Sequence, residues 1–139
     1  MSSPAGNLTT GDSTTCALRR GKLMIVDDDP AVLEALDLAL TWQGHEVVMA
    51  EGGKAAVEAA CSIDLDLVLT DFKMGGMDGL ETMLAIKAVK PDVPVMIITG
   101  FASAEMEDEL KRSGAFGVIT KPFMLDDLYA AVQRALEPL

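Results

Sequence analysis

Leu67-Val68-Leu69-Thr70-Asp71-Phe72-Lys73-Met74-Gly75-Gly76-Met77-Asp78-Gly79-Leu80-Glu81 is the stretch from which the rest of the chain can be read. Four residues suited to a strand covered on both faces run directly into a carboxylate. A loop with two glycines, which allow tight backbone geometry, then leads to an acid-x-x-Glu spacing that opens a helix. An acid at the end of a central strand has little structural reason to be there. Its burial is costly unless a cation or donors accompany it.

The same arrangement recurs on either side. Asp27-Asp28-Asp29 follows Leu23-Met24-Ile25-Val26, Thr99 follows Val95-Met96-Ile97-Ile98, and Lys121-Pro122 follows Val118-Ile119-Thr120. In an open parallel α/β sheet, ligands bind at the carboxyl ends of the strands, so these four ends predict one shared site. Several carboxylates in one crevice repel each other unless a hard cation lies among them, and Mg²⁺ is the ordinary solution. Thr99 or Lys121 alone is uninformative. Together, a hydroxyl donor, an ammonium and a metal supply what phosphoryl transfer onto a carboxylate requires.

Between the strand ends the chain alternates short apolar runs with amphipathic helices, predicting five β/α units from Lys22 onward. The first strand spans Lys22 to Val26. The helix after it uses Asp29 as N-cap and Pro30 in its first turn, buries Leu33, Leu36 and Leu40, and stops at Gly44. Glu46 to Ala50 reads as strand two, and Lys54 to Cys61 as a helix with Ala56, Val57 and Ala60 inward. Leu80, Met83 and Leu84 begin the buried stripe of the third helix. Ser103 caps a fourth, bearing Met106 and Leu110 and ended by Gly114. Leu125, Leu128, Val132 and Leu136 give the last helix its buried stripe.

A length of 139 residues suits one domain with a single core. Residues 1–21, rich in Ser, Thr and Gly, read as a disordered polar leader without the apolar core of a signal peptide, and residues 22–139 as the folded domain. The net charge of −11 argues against direct binding to nucleic acid or anionic lipid. No apolar run approaches membrane-spanning length, and two cysteines, Cys16 in the leader and Cys61 among alanines, suit a reducing compartment. A cytoplasmic location is expected.

Over Lys22 to Leu139 these residues resemble the receiver domain of two-component response regulators. The resemblance implies a flavodoxin-like doubly wound α/β fold with strand order 2-1-3-4-5. It implies that Asp27 and Asp28 in "IVDDDP" bind Mg²⁺ together with Asp71 and the backbone carbonyl of Lys73. Asp71 becomes the phosphoacceptor, Thr99 in "IITG" the switch hydroxyl, and Lys121 in "TKPF" the signature lysine, with a cis bond before Pro122. The phosphoryl donor is then a sensor histidine kinase or a histidine phosphotransfer protein. The downstream partner is a protein that the sequence does not identify, reached through helix four, strand five and helix five. A phosphorylation-linked dimer is compatible with this reading. Apart from its own phosphorylation and dephosphorylation the domain is not expected to be an enzyme.

Three departures from the family pattern stand out. Gly75 replaces the usual proline and should loosen the loop beside the acceptor. Val118 occupies the place of the usual Tyr or Phe in strand five, and Phe116 faces the same side by strand alternation. The output domain that many family members carry is not present in the sequence, which suggests a stand-alone switch.

Two rival readings remain. One is a receiver-like binding module that is not phosphorylated. The other is a haloacid-dehalogenase-type phosphatase, whose Asp-x-Asp-x-Thr start is mimicked by Asp27 and Asp29 but broken by Pro30 and by Ala31. Other conspicuous residues read as structural. His45 is expected at the surface, Trp42 and Cys61 in packing, most of the nine methionines in the core, and Glu105, Glu107, Asp108 and Glu109 on a solvated face.

Overall fold

The structure is a computed structural model describing residues 18–138. Five parallel strands alternate with five helices: β1 (Lys22–Val26), α1 (Pro30–Trp42), β2 (Glu46–Ala50), α2 (Gly53–Ser62), β3 (Leu67–Asp71), α3 (Gly79–Val89), β4 (Val95–Thr99), α4 (Ala104–Arg112), β5 (Gly117–Thr120) and α5 (Leu125–Leu136). The sheet order is β2-β1-β3-β4-β5, the flavodoxin-like order expected from the sequence.

Strand alternation divides the core between the two faces of the sheet. Leu23, Ile25, Leu67, Leu69, Met96 and Ile98 point to one side, where Leu33, Leu36 and Leu40 of α1 and Leu128, Ala131 and Val132 of α5 cover them. Met24, Val26, Val68, Val95 and Ile97 point to the other, against Ala56 and Ala60 of α2, Met83 and Ile86 of α3 and Leu110 of α4. Because β1, β3 and β4 are covered on both sides, they read as unbroken apolar runs, which is why the sequence located them.

The helix starts follow local chemistry. Asp29 caps α1 by accepting from the Ala31 N–H, and Asp78 and Glu81 form a reciprocal capping box on α3. Ser103 caps α4 through the Met106 N–H. Gly44 has a φ of 96°, a left-handed turn that ends α1 and that a side chain would strain.

Several side-chain expectations are overturned. Leu84 and Leu125 are exposed, and the stripes instead use Thr82 and Ile86 in α3 and Ala131 and Ala135 in α5. Trp42 is 83% exposed, on the outer face of α1 opposite Leu36 and Leu40. Cys61 is exposed too. Met24, Met74, Met83 and Met96 are buried, whereas Met49 and Met124 lie in solvent. Of the polar leader expected to be disordered over residues 1–21, residues 1–17, including Cys16, lie outside the described residues, whereas Arg19 and Gly21 are hydrogen-bonded to Gln133 and His45.

His45 is 5% exposed rather than at the surface. Gly44 turns the chain inward, and the His45 Nδ1 accepts the Gly21 N–H at 3.2 Å. Nearby, Arg19 exchanges two hydrogen bonds with the Gln133 side chain, at 2.8 and 2.9 Å, tying the entry to β1 onto α5. Burial, and then the charge of Arg20, holds the imidazole below its ordinary value of 6.5. The unfolded chain therefore takes up this proton first, and stability falls as pH drops below 6.5, until the folded imidazole also titrates. In metal-free urea titrations, His45→Asn should flatten this limb of the stability curve. An unchanged slope would show that another group carries it.

Candidate functional site

The four strand ends converge at the carboxyl edge of the sheet. Asp27 directly follows β1, with its N–H bonded to the Ala50 carbonyl at 3.2 Å, and its side chain is buried. Asp71 and Thr99 are the last residues of β3 and β4, and both are buried. Lys121 follows β5, where its N–H donates to the Thr99 carbonyl at 2.7 Å and its peptide bond to Pro122 is cis.

Oxygen atoms of Asp27, Asp28 and Asp71 all lie within 4.8 Å of one another. The Lys121 Nζ is 3.0 Å from the Asp71 Oδ1 and 3.9 Å from the Asp27 Oδ2. Three carboxylates against one ammonium leave net negative charge in a partly buried crevice. An oxygen donor set of this charge fits a hard divalent cation. Lys73, expected to lend its carbonyl, is exposed in the loop after β3.

Asp27 and Asp28 each accept a backbone N–H. The Asp27 Oδ1 accepts the Asp29 N–H at 2.9 Å, and the Asp28 Oδ2 accepts the Gly75 N–H at 3.0 Å. Asp29 itself is engaged as the α1 cap, with the Ala31 N–H at 2.9 Å. The Thr99 hydroxyl donates to the Phe101 carbonyl at 2.9 Å and accepts the Phe101 N–H at 3.3 Å. It is thus held by the loop after β4, in which the Phe101 side chain is 76% exposed.

Burial pushes the Asp27 carboxyl above its ordinary value of 3.8, and the charges of Asp71 and Asp28 add to this, against the Asp29 N–H and Lys121. Its folded form binds a proton more tightly than the unfolded chain does. The resulting stability is full below 3.8 and lost as pH rises through the folded value. In metal-free buffer at neutral pH, Asp27→Asn should therefore raise Tm, and the advantage should vanish below 3.8. Added Mg²⁺ should stabilise the unmodified protein more than the variant, which has one clustered charge fewer, and so narrow or reverse the difference. A lower Tm for Asp27→Asn in EDTA would contradict this electrostatic account.

Val118 is partly buried against the cluster that contains Met24 and Ile97. Phe116 precedes β5 and is 46% exposed. Two features of the site escaped the sequence reading. Gly75 supplies a hydrogen-bond donor, and Gly79 allows a close approach: a Cβ there would lie 2.7 Å from the Asp71 carbonyl oxygen. A small residue beside an acid-bearing strand end was the only available signal.

The family model of the response regulator receiver domain matches residues 23–133. The transcriptional regulatory protein GlrR of Escherichia coli is 39% identical over 115 residues, covering 83% of this chain and 26% of that protein. The DNA-binding transcriptional regulator NtrC of Escherichia coli is 35% identical over 119 residues, 86% of this chain and 25% of its own length. The chain thus spans about a quarter of these curated relatives. Among solved structures, a CheY-like receiver domain protein from Methanospirillum hungatei superimposes with a TM-score of 0.79 at 28% identity, covering 85% of this chain and 94% of that one. Vibrio cholerae CheY4 gives 0.79 at 29% identity, with 85% and 100% coverage. No helix among the described residues is long and apolar enough to cross a membrane.

Proposed function

This chain belongs to the response regulator receiver domain family, and from that membership we propose that it is a phosphoacceptor switch working through Asp71. The observation that carries the proposal is the placement of the Lys121 ammonium 3.0 Å from Asp71 within a cluster of three carboxylates. The side chains of Asp27, Asp28 and Asp71, with the Lys73 carbonyl, are the proposed ligands of Mg²⁺. A bound Mg²⁺ supplies positive charge against the acids and the incoming phosphoryl oxygens.

An Asp71 carboxylate oxygen attacks the phosphorus of a phosphohistidine. A P–O bond forms as the P–N bond breaks, and the departing imidazole nitrogen takes a proton. Lys121 neutralises the oxyanion beside Asp71. The Thr99 hydroxyl leaves Phe101 to donate to the phosphoryl group, releasing the loop after β4. Water later hydrolyses the acyl phosphate, so the domain turns over only its own phosphoryl group and is not otherwise an enzyme. Asp29 caps α1 through the Ala31 N–H, which supports its reading as a structural acid over the haloacid-dehalogenase-type alternative.

The donor is a histidine kinase or a histidine phosphotransfer protein, and its body must rest on the rim of the site. Ala31, Ala35, Pro122, Phe123 and Leu125 line an apolar groove beside Lys121 that suits a helical surface. The output lies on the opposite flank, where Lys111 of α4 and Arg134 of α5 border a groove with Phe116, Val118 and Met124.

Intact-mass spectrometry tests both parts. Acetyl phosphate with Mg²⁺ should add one phosphoryl group, and EDTA should prevent it. Ala35→Asp should leave this small-donor labelling unchanged while slowing transfer from a phosphorylated histidine protein by about tenfold, because it puts a charge into the apolar rim. Equal labelling in EDTA would refute the metal-assisted mechanism. Equal transfer to Ala35→Asp would refute the docking rim.

A further inference from the structure

We infer that the backbone N–H of Gly75 is a positioning group for the metal site, holding Asp28 in place to receive the cation. The inference rests on the metal reading above and extends it to a residue outside the ligand set. Asp28 is exposed, and the close negative charges on Asp27 and Asp71 repel its carboxylate. The Gly75 N–H, from a loop 47 residues away in sequence, meets its Oδ2 at 3.0 Å and opposes that repulsion. A neutral donor restrains the acid without competing for its charge. Each carboxylate oxygen also has more than one acceptor position, so Asp28 keeps free lone pairs for a metal.

The donor depends on the residue type. Proline, most often found here in the family that the sequence resembles, has no N–H. Alanine has one, and its Cβ would come no nearer than 3.9 Å to the Asp28 Oδ2. Gly76, next along, has a φ of 81° that fixes the turn after the donor. The replacement that the sequence reading treated as a loosening therefore adds a hydrogen bond across two loops. Partners of metal ligands commonly govern affinity in this way.

Mg²⁺ calorimetry on the whole chain and on Gly75→Ala, Gly75→Pro, Asp28→Ala and the Asp28→Ala/Gly75→Pro double variant tests the inference. Gly75→Ala should bind as the unmodified chain does, and Gly75→Pro about tenfold more weakly. With Asp28→Ala already present, Gly75→Pro should cause no further loss. In metal-free NMR spectra, Asp28→Ala should shift the Gly75 amide proton upfield as its acceptor disappears. Equal affinity for Gly75→Pro, an undiminished loss in the Asp28→Ala background, or an unmoved Gly75 amide would overturn the inference. If the unmodified chain binds no Mg²⁺, the metal reading fails as well, whereas normal binding with an unmoved amide removes only the role of Gly75.

Discussion

Asp71→Asn should reduce phosphorylation by acetyl phosphate at least about a hundredfold, to below detection by intact mass, because it removes the nucleophilic carboxylate and keeps the shape. Every strand contact of β3 can persist, since Asp71 ends the strand and its backbone pairing with β4 does not involve the side chain. The near-ultraviolet spectrum should therefore be unchanged. Lys121 loses its contact at 3.0 Å and keeps Asp27 at 3.9 Å. Mg²⁺ affinity should also fall, because one of three clustered charges is gone. Labelling of Asp71→Asn at the unmodified rate would place the acceptor elsewhere.

Gly79→Ala should lower stability by about 1–3 kcal/mol and slow phosphorylation with it. The added Cβ would lie 2.7 Å from both the Asp71 carbonyl oxygen and the Phe72 Cα, and these are backbone atoms that cannot rotate aside. The Gly79 N–H also donates to the Phe72 carbonyl at 2.7 Å, closing the loop that follows the acceptor. Relief of the clash must shift either the start of α3 or the end of β3, and the second choice moves Asp71. Urea unfolding and acetyl phosphate kinetics on the same variant check the coupling. A stable variant with unchanged kinetics would show that the loop absorbs the methyl group freely.

The fold was legible because the three central strands are covered on both faces and so appear as apolar runs that end in polar residues. Helix starts were legible for a similar reason: Asp29, Asp78 and Ser103 are caps whose side chains do local work. Side-chain burial away from the sheet was harder to read. Leu84 and Leu125 fit a helical period as well as their buried neighbours do, and only the packing of α3 and α5 against the sheet decides which side is covered. His45 went inward because the conformation of Gly44 redirects the chain, and composition carries no trace of that. In the site, the acids, hydroxyl and ammonium were named from their strand ends. The Gly75 donor was not, since every residue except proline carries a backbone N–H. The rotamer of Thr99, held by Phe101, is likewise a property of loop geometry rather than of residue type.

The central claim is that a phosphoryl group arrives on the Asp71 carboxylate. Borohydride reduces an acyl phosphate to the alcohol, which converts a phosphorylated aspartate into homoserine that peptide mass spectrometry can locate. After treatment with acetyl phosphate and Mg²⁺ followed by borohydride, homoserine should appear at position 71 and at no other acid. Homoserine at position 27 or 28, or a phosphoryl group that resists reduction and maps to Thr99 or His45, would contradict the account.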